Sequence, residues 1–274
     1  MLQILISFLF GVVEGITEWL PVSSTGHMIL LDEFVRLSMS DEFKEMYLVV
    51  IQLGAIMAVV ILYFKDLWPF SSKKEDHYIK KDVWVMWFKV IVSCIPAVII
   101  ELILGDKLEE MFYNYKVVAA MLIIFGILFI VVENVNKNKK ANTNSIAEIT
   151  YLNSFLIGMF QLIAAVFPGT SRSGATIIGG LVLGLSRSVA AEYTFFLAVP
   201  VMFGASLLKL VKFGFHFTGL EVGVLLVGMI TAFVVSIVVI KFLMSYIKKH
   251  DFKVFGVYRI ILGVLVIGYF ALVK

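Results

Sequence analysis

Six apolar stretches dominate the sequence, and each has about 20 residues, the length a helix needs to cross a hydrocarbon layer about 30 Å thick. They cover residues 46–64, 83–104, 117–135, 189–208, 222–242 and 254–273. Two more apolar stretches, residues 2–36 and 150–186, are each interrupted by a polar segment. Non-helical backbone is tolerated at membrane depth where protein or a wet cavity surrounds it. We therefore predict an all-α polytopic membrane protein with six transmembrane helices and two re-entrant helical hairpins; ordinary spans in place of the hairpins are the alternative.

The interrupted stretches occupy matching places in an internal repeat. Residues 5–11 (LISFLFG) recur as residues 152–158 (LNSFLIG), at a shift of 147 residues (152 minus 5). The same shift aligns residues 21–27 (PVSSTGH) with residues 168–174 (PGTSRSG). In membrane proteins, broken helices at equivalent positions of a repeat point to a binding site near the midplane.

The repeat divides one integral membrane domain into residues 1–140 and 148–274, and the same shift pairs Glu45 with Glu192. Each half holds one hairpin and three spans. Because three is odd, the second half is predicted to be inverted relative to the first. The polar tips of the two hairpins would then meet near the midplane.

Composition and charge agree with a membrane protein and orient it. Of the 274 residues, 61% are hydrophobic and 16% are charged, and the mean hydropathy is +0.99, which excludes a soluble enzyme and a nucleic-acid-binding module. The lone cysteine, Cys94, excludes an intrachain disulfide.

In this topology one face carries 13 Lys and Arg residues, including Lys73 and Lys74, and the other carries seven, including Lys274. The richer face is predicted to be cytoplasmic. Both termini and the mouth of the first hairpin would then face outward.

Two acids lie on one face of the first hairpin. Glu14 and Glu18 are four residues apart, so both project from the same side of its entering helix. Carboxylates within a membrane are costly, and they usually face the protein interior or water and have a function. The pair could bind Mg²⁺ or Ca²⁺ or orient a histidine, and interfacial acids near a helix end are the alternative. The repeat has Gln161 and Ala165 at the equivalent positions.

The first polar tip contains Ser23, Ser24, Thr25 and His27. Hydroxyls at a helix start cap free amides, and such amides attract anions, although helix packing is an alternative role. The remaining histidines fall in or near predicted loops: His77, His216 and His250. His27 is therefore predicted to act as a general base or nucleophile, with a structural hydrogen bond as the alternative.

The second polar tip contains an arginine. Arg172 lies between Ser171 and Ser173, and its planar fork suits a phosphate; a snorkelling arginine is the alternative. Thr176 adds a hydroxyl, and Gly169 permits close approach of the backbone. Together the tips predict an anion cradle with one base, several hydroxyls and two acids, which suits attack on phosphorus.

These segments resemble two signatures of a known family. Residues 14–18 (EGITE), followed by residues 21–27, resemble the (E/Q)xxxE region of bacterial undecaprenyl-diphosphate phosphatases, the bacitracin-resistance type. Residues 168–176 (PGTSRSGAT) resemble the family's second signature, PGxSRSxxT, at every specified position. The resemblance implies hydrolysis of undecaprenyl diphosphate to undecaprenyl phosphate and inorganic phosphate, which recycles the lipid carrier for peptidoglycan synthesis and confers bacitracin resistance. It also implies a plasma-membrane enzyme that uses Mg²⁺ or Ca²⁺ and whose site is reached from outside.

The resemblance also implies roles for single residues. It places the family's acidic pair on Glu14 and Glu18 and its arginine on Arg172. Its serine and histidine fall on Ser24 and His27. Arg172 is predicted to bind the diphosphate with other groups of the tips: Ser171, Ser173, Thr176, Ser23, Thr25 and Gly169.

Several alternatives stay open at this point. The nucleophile is His27 or Ser24, and the two acids bind metal or tune His27. A transporter or flippase of a phosphorylated lipid or anion is the rival function. The choice between Mg²⁺ and Ca²⁺ and the presence of a homodimer are also open.

Overall fold

The computed structural model describes residues 1–71 and 79–273. Within these residues the chain forms twelve α-helices, one turn of 3₁₀-helix at Ile146–Glu148 and no β-sheet. The helices are α1 (Leu2–Thr17), α2 (Ser24–Phe34), α3 (Asp41–Val50), α4 (Gln52–Leu62), α5 (Phe64–Leu67), α6 (Lys81–Phe112), α7 (Tyr115–Asn136), α8 (Tyr151–Val166), α9 (Arg172–Val182), α10 (Arg187–Phe213), α11 (Gly219–Ile247) and α12 (Lys253–Val273). Lys73, Lys74, His77 and Lys274, which entered the predictions above, lie outside the described residues.

Six segments of these helices are long and apolar enough to cross a membrane. They are Asp41–Leu62, Lys81–Gly105, Tyr115–Asn136, Arg187–Phe213, Gly219–Ile247 and Lys253–Leu272. The first combines α3 and α4, which meet at Ile51 in a right-handed helical conformation. The outer surfaces of these helices are apolar, with Ile230 and Val238 more than half exposed, as expected for contact with lipid. The all-α class and the six predicted spans are confirmed.

Polar segments interrupt the two remaining apolar stretches where the sequence predicts a break. Residues 18–23 separate α1 from α2, and residues 167–171 separate α8 from α9. The second helix of each pair has 11 residues, about 16 Å at 1.5 Å per residue, which is too short to span a membrane.

The start and the end of each helix pair lie next to each other. Gln3, at the start of α1, accepts a hydrogen bond through Oε1 from the backbone N–H of Ser38, which follows α2 (2.9 Å). Before α8, Thr143 accepts a hydrogen bond from the backbone N–H of Ser186, which follows α9 (2.9 Å). Both pairs are therefore hairpins.

The two tips align at a shift of 148 residues, one more than the ungapped repeat predicts. Ser23 and Ser171 precede α2 and α9, and both have positive φ angles. The extra residue lies in the second break, where two residues separate Pro168 from Ser171 and only one separates Pro21 from Ser23.

The predicted pairing of Glu45 with Glu192 is wrong. Helix α3 begins after Ser40 and α10 begins after Ser186, a shift of 146 residues (186 minus 40). The connection from the tip to the first span is two residues shorter in the second half, which moves the glutamates out of register. Glu45 lies at the surface beside Lys209, whereas Glu192 is half-buried.

Each half packs the first helix of its hairpin against a helix of the other half. Helix α1 packs on α11, and α8 packs on α6, so the first helix of each hairpin lies against the second span of the other half. These contacts are close because Gly11 and Gly158 lack side chains. An added Cβ would lie 2.6 Å from the carbonyl oxygen of Gly228 or 2.5 Å from that of Ser93, respectively.

Candidate active site

The two polar tips are in direct contact. Arg172 donates through Nη2 to Glu18 Oε1 at 2.8 Å, and the Ser173 hydroxyl donates to the backbone oxygen of Glu18 at 3.0 Å. The arginine and glutamate side chains are only 14% and 8% exposed. Burial of an ion pair is costly unless further hydrogen bonds satisfy it, and Arg172 also donates to the backbone oxygen of Thr194 at 3.3 Å.

Glu18 has a second partner within the first tip. The Ser24 hydroxyl donates to Glu18 Oε2 at 2.8 Å, so one carboxylate bridges a serine and an arginine. Glu18 follows the last residue of α1 and Ser24 is the first of α2, so the turn of the hairpin sets their spacing. A carboxylate that accepts a hydrogen bond from a serine hydroxyl is chemically able to take its proton.

His27 forms its hydrogen bonds with residues other than Ser24 and Glu18. Its Nδ1 lies 2.7 Å from the carbonyl oxygen of Ser23, which can only accept, so Nδ1 carries the proton. Nε2 of the neutral ring then accepts from the Tyr258 hydroxyl at 2.7 Å, and the two rings stack with centroids 5.6 Å apart. Both ring nitrogens are therefore occupied, and neither bonds to Ser24.

A buried arginine of α12 binds the backbones of both tips. Arg259 is 0% exposed, and its guanidinium donates to the carbonyl oxygens of Pro21 (3.2 Å), Gly169 (2.9 Å) and Thr170 (2.7 Å). It has no carboxylate partner in the part of the chain that the structure describes. Because one side chain reaches both tips, it fixes their relative position.

The sequence of this chain has counterparts among known proteins. Residues 7–265 match the family of bacitracin resistance protein BacA.

The chain belongs to the BacA family.

Close relatives cover almost the whole chain. An undecaprenyl-diphosphatase of Desulfitobacterium hafniense is 64% identical over 99% of this chain and 97% of its own length. Undecaprenyl-diphosphatase 1 of Clostridium acetobutylicum is 63% identical over 99% of both chains. An undecaprenyl-diphosphatase of Enterococcus faecalis is 57% identical over 97% of this chain and 96% of its own length. With its six apolar spans, this BacA-family chain is a multi-pass membrane protein.

Each tip of this BacA-family protein presents free backbone amides at a helix start. Among the described residues, Ser23 and Ser171 are the only non-glycine residues with positive φ (73° and 69°), a costly conformation that clusters at functional sites. Their hydroxyls accept from the amides of Gly26 (3.4 Å) and Gly174 (3.2 Å). The two amides before each glycine have no intrahelical partner and are suited to bind an anion.

Several predicted phosphate ligands have partners inside the protein. The Ser173 hydroxyl bonds the first tip, and the Thr176 hydroxyl is hydrogen bonded to that of Thr194 at 2.8 Å. The carbonyl of Gly169 accepts from the α12 arginine. Only Thr25, of the predicted hydroxyls, is half-buried without a hydrogen bond to any described residue.

The two predicted metal ligands differ in their surroundings. Glu14 is 1% exposed and its Oε1 has no hydrogen-bond partner, whereas both oxygens of Glu18 are engaged. Residues 1–71 and 79–273 hold no group of three or more His, Cys, Asp or Glu side chains that could bind a metal. Mg²⁺ often takes one or two carboxylates and completes its shell with water and substrate phosphates. The unpaired oxygen of Glu14 suits a cation of this kind, whereas the oxygens of Glu18 already accept hydrogen bonds from a serine and an arginine.

Two residues of the site, Tyr258 and Arg259, are not among those predicted from the sequence. Both lie in the stretch 254–273, which was assigned only as a span. An arginine within an apolar span is itself a signal of function or of an internal partner, and it could have identified this position. Tyr258 carried no comparable signal, because aromatic residues are common in spans.

Proposed function

We infer that this BacA-family chain hydrolyses undecaprenyl diphosphate to undecaprenyl phosphate and inorganic phosphate. The activity is the one named for relatives 63% and 64% identical to it over the whole chain. The enzyme thereby recycles the lipid carrier for peptidoglycan synthesis and confers bacitracin resistance. The observation that carries the chemistry is the contact of Ser24 and Arg172 with the same carboxylate, that of Glu18.

Ser24 is the proposed nucleophile. Its Oγ attacks the terminal phosphorus, the bond from that phosphorus to the bridging oxygen breaks, and undecaprenyl phosphate leaves with the electron pair. The hydroxyl proton passes to Glu18 Oε2 and then to the departing phosphate. Water next attacks the phosphorus of the phosphoserine, and the bond from that phosphorus to Ser24 Oγ breaks. Glu18 takes one proton from the water and passes it to Ser24 Oγ, which restores the enzyme and releases inorganic phosphate.

The remaining groups of the site bind and orient the substrate. Arg172 has N–H donors beyond those that contact Glu18, and its charge stabilises the transferring phosphoryl group. Glu14 would hold a divalent cation, Mg²⁺ or Ca²⁺, which when bound neutralises phosphate charge. His27, fixed by Ser23 and Tyr258, would donate or accept a hydrogen bond at the substrate after its Tyr258 contact opens.

The proposed topology is an inverted repeat with two re-entrant hairpins. The contacts between entry and exit of each hairpin support re-entrance. The exchange of packing partners between α1–α11 and α8–α6 supports a two-fold relation of the halves. With the lysine-rich face in the cytoplasm, both termini and the mouth of the active site face outward. A homodimer stays a prediction.

Trapping of the covalent intermediate tests the nucleophile. Enzyme mixed with undecaprenyl diphosphate is quenched within one turnover in acid or in alkali and analysed by mass spectrometry. Phosphoserine survives acid, whereas phosphohistidine survives only alkali. A phosphate on Ser24 is expected in acid. An adduct on His27 in alkali alone would assign the attack to histidine, and no adduct in either quench would favour direct attack by water.

Phosphate release in detergent tests the reaction itself. A detergent micelle has no two sides, so a transporter or flippase produces no measurable product there. Release of inorganic phosphate that requires Ser24 and Glu18 is expected for the phosphatase, and its absence would contradict the proposed function.

A further inference from the structure

A basic cavity of 580 Å³ lies at the end of α9 that is remote from the active site. Arg172 begins α9, and Val182, which ends it, lines the cavity, about 15 Å away along a helix that rises 1.5 Å per residue. The other walls come from the ends of α7 and α11 and the start of α10. The cavity therefore opens at one face of the membrane, where these spans begin and end.

The cavity carries more positive charge than the protein balances. Three of its basic side chains lie in the linker after α7, one begins α10 and one follows α11: Lys137, Lys139, Lys140, Arg187 and Lys248. Arg187 is neutralised by Glu133, which is 2% exposed and accepts from its Nε at 2.9 and 3.1 Å. The four lysines make no ion pair with any residue that the structure describes. An anion in the cavity would reduce their mutual repulsion.

Hydrogen bonds hold the walls of the cavity in place. The backbone N–H groups of Asn142 and Thr143 donate to the carbonyl of Gly184 at 2.9 and 3.2 Å, and Asn136 Nδ2 donates to the carbonyl of Leu181 at 2.9 Å. The linker before α8 and the end of α7 are thereby fixed to the end of α9. A site with such fixed walls loses little entropy when a ligand binds.

The rim of the cavity is apolar on the side of α9. Leu181, Leu183 and Val182 line it, and Val182 is 56% exposed. A phosphate among the lysines could therefore be joined to acyl chains that run along this apolar edge. Basic pockets between transmembrane helices recognise anionic lipid headgroups in this way.

We propose that this cavity binds the phosphate of an anionic phospholipid headgroup, such as that of phosphatidylglycerol. The site is separate from the catalytic tips and does not depend on the proposed reaction. Free inorganic phosphate has the same chemistry and is distinguished by the test.

The test compares two variants that lose the same charge from the same face. Lys139→Gln/Lys248→Gln removes two cavity lysines, and Lys81→Gln/Lys249→Gln removes two exposed lysines outside it. Delipidated protein is titrated with phosphatidylglycerol and with zwitterionic phosphatidylcholine, and bound lipid is counted by native mass spectrometry. We expect the cavity variant to bind phosphatidylglycerol at least about tenfold more weakly, while the control stays within about twofold of wild type.

Three outcomes would overturn the proposal. Unchanged lipid binding in the cavity variant would remove the cavity from lipid recognition, and equal losses in both variants would show only diffuse surface charge. Calorimetry with inorganic phosphate is the second arm: phosphate binding that the cavity variant loses, with phosphatidylglycerol binding intact, would assign the cavity to free phosphate. Unchanged phosphate release from undecaprenyl diphosphate in both variants is the control for folding.

Discussion

At the scale of single residues, the proposed chemistry depends on one carboxylate with two partners. Glu18 accepts from Ser24 through one oxygen and from Arg172 through the other. An ionised carboxylate accepts hydrogen bonds at both oxygens, and this is the form that can take a proton from serine. The base and the anion-binding group are therefore coupled, and a change to either should affect both.

Glu18→Gln tests this coupling. The amide keeps the size of the side chain but can neither take the serine proton nor pair with the arginine. A base of this kind contributes about 10²- to 10⁴-fold, so kcat should fall at least about 100-fold in a phosphate-release assay. Glu42→Gln, on the exposed start of α3, is the control and should keep full activity. Activity of Glu18→Gln within tenfold of wild type would exclude Glu18 as the base.

Arg172→Lys separates charge from geometry. Lysine retains the positive charge but loses the planar fork that contacts Glu18 and Thr194. Phosphate release should fall at least about tenfold, or about 1.4 kcal/mol of transition-state stabilisation. Arg36→Lys, in an exposed connection, should have no effect. Near-full activity of Arg172→Lys would mean that the arginine acts only as a point charge.

The candidate site residues were predictable from the sequence, but their hydrogen-bond partners were not. The acids were predicted from their spacing in an apolar helix, and Ser24, His27 and Arg172 from their place in the polar tips. Their hydrogen bonds could not be predicted, because the Tyr258 partner of His27 is 231 residues away in the chain. Packing of distant helices decides such contacts, and hydropathy carries no information about it.

At the scale of elements, the breaks were predictable and their register was not. Both helix interruptions contain a proline and a serine within an otherwise apolar stretch. The ungapped shift of 147 nevertheless misaligned the tips by one residue, because Gly169 and Thr170 stand where the first tip has only Val22. The additional residue allows the second break to carry two carbonyls to Arg259.

Gly169→Ala tests the conformation of the second break. Gly169 has a φ of 90°, and a Cβ there would lie 2.5 Å from the carbonyl oxygen of Val118. Strain of this kind costs about 1–3 kcal/mol, so both thermal stability and phosphate release should fall. Gly204→Ala, within α10, is the matched control because nothing lies within 4 Å of an added Cβ. It should be neutral or stabilising by up to about 1 kcal/mol. Equal melting temperatures for the two variants would contradict the described backbone.

At the scale of the whole molecule, each half completes the other. The first helix of each hairpin packs on a span from the opposite half, and α12 of the second half binds both tips through Arg259. The acids lie in the first half, and the arginine proposed to bind phosphate lies in the second. Neither half therefore contains a complete site, and their relative orientation decides whether the tips oppose each other.

Thiol labelling in intact cells tests that orientation. Three spans separate Ser38, after the first hairpin, from Lys139, before the second, and both residues are exposed. In a Cys94→Ala background, Ser38→Cys should react with an impermeant maleimide from outside. Lys139→Cys, on the lysine-rich face, should react only after the membrane is opened, because positively charged connections stay in the cytoplasm. Labelling of both cysteines from the same side would require an even number of crossings between them. The halves would then be parallel rather than inverted, and a site composed of two opposed tips would be untenable.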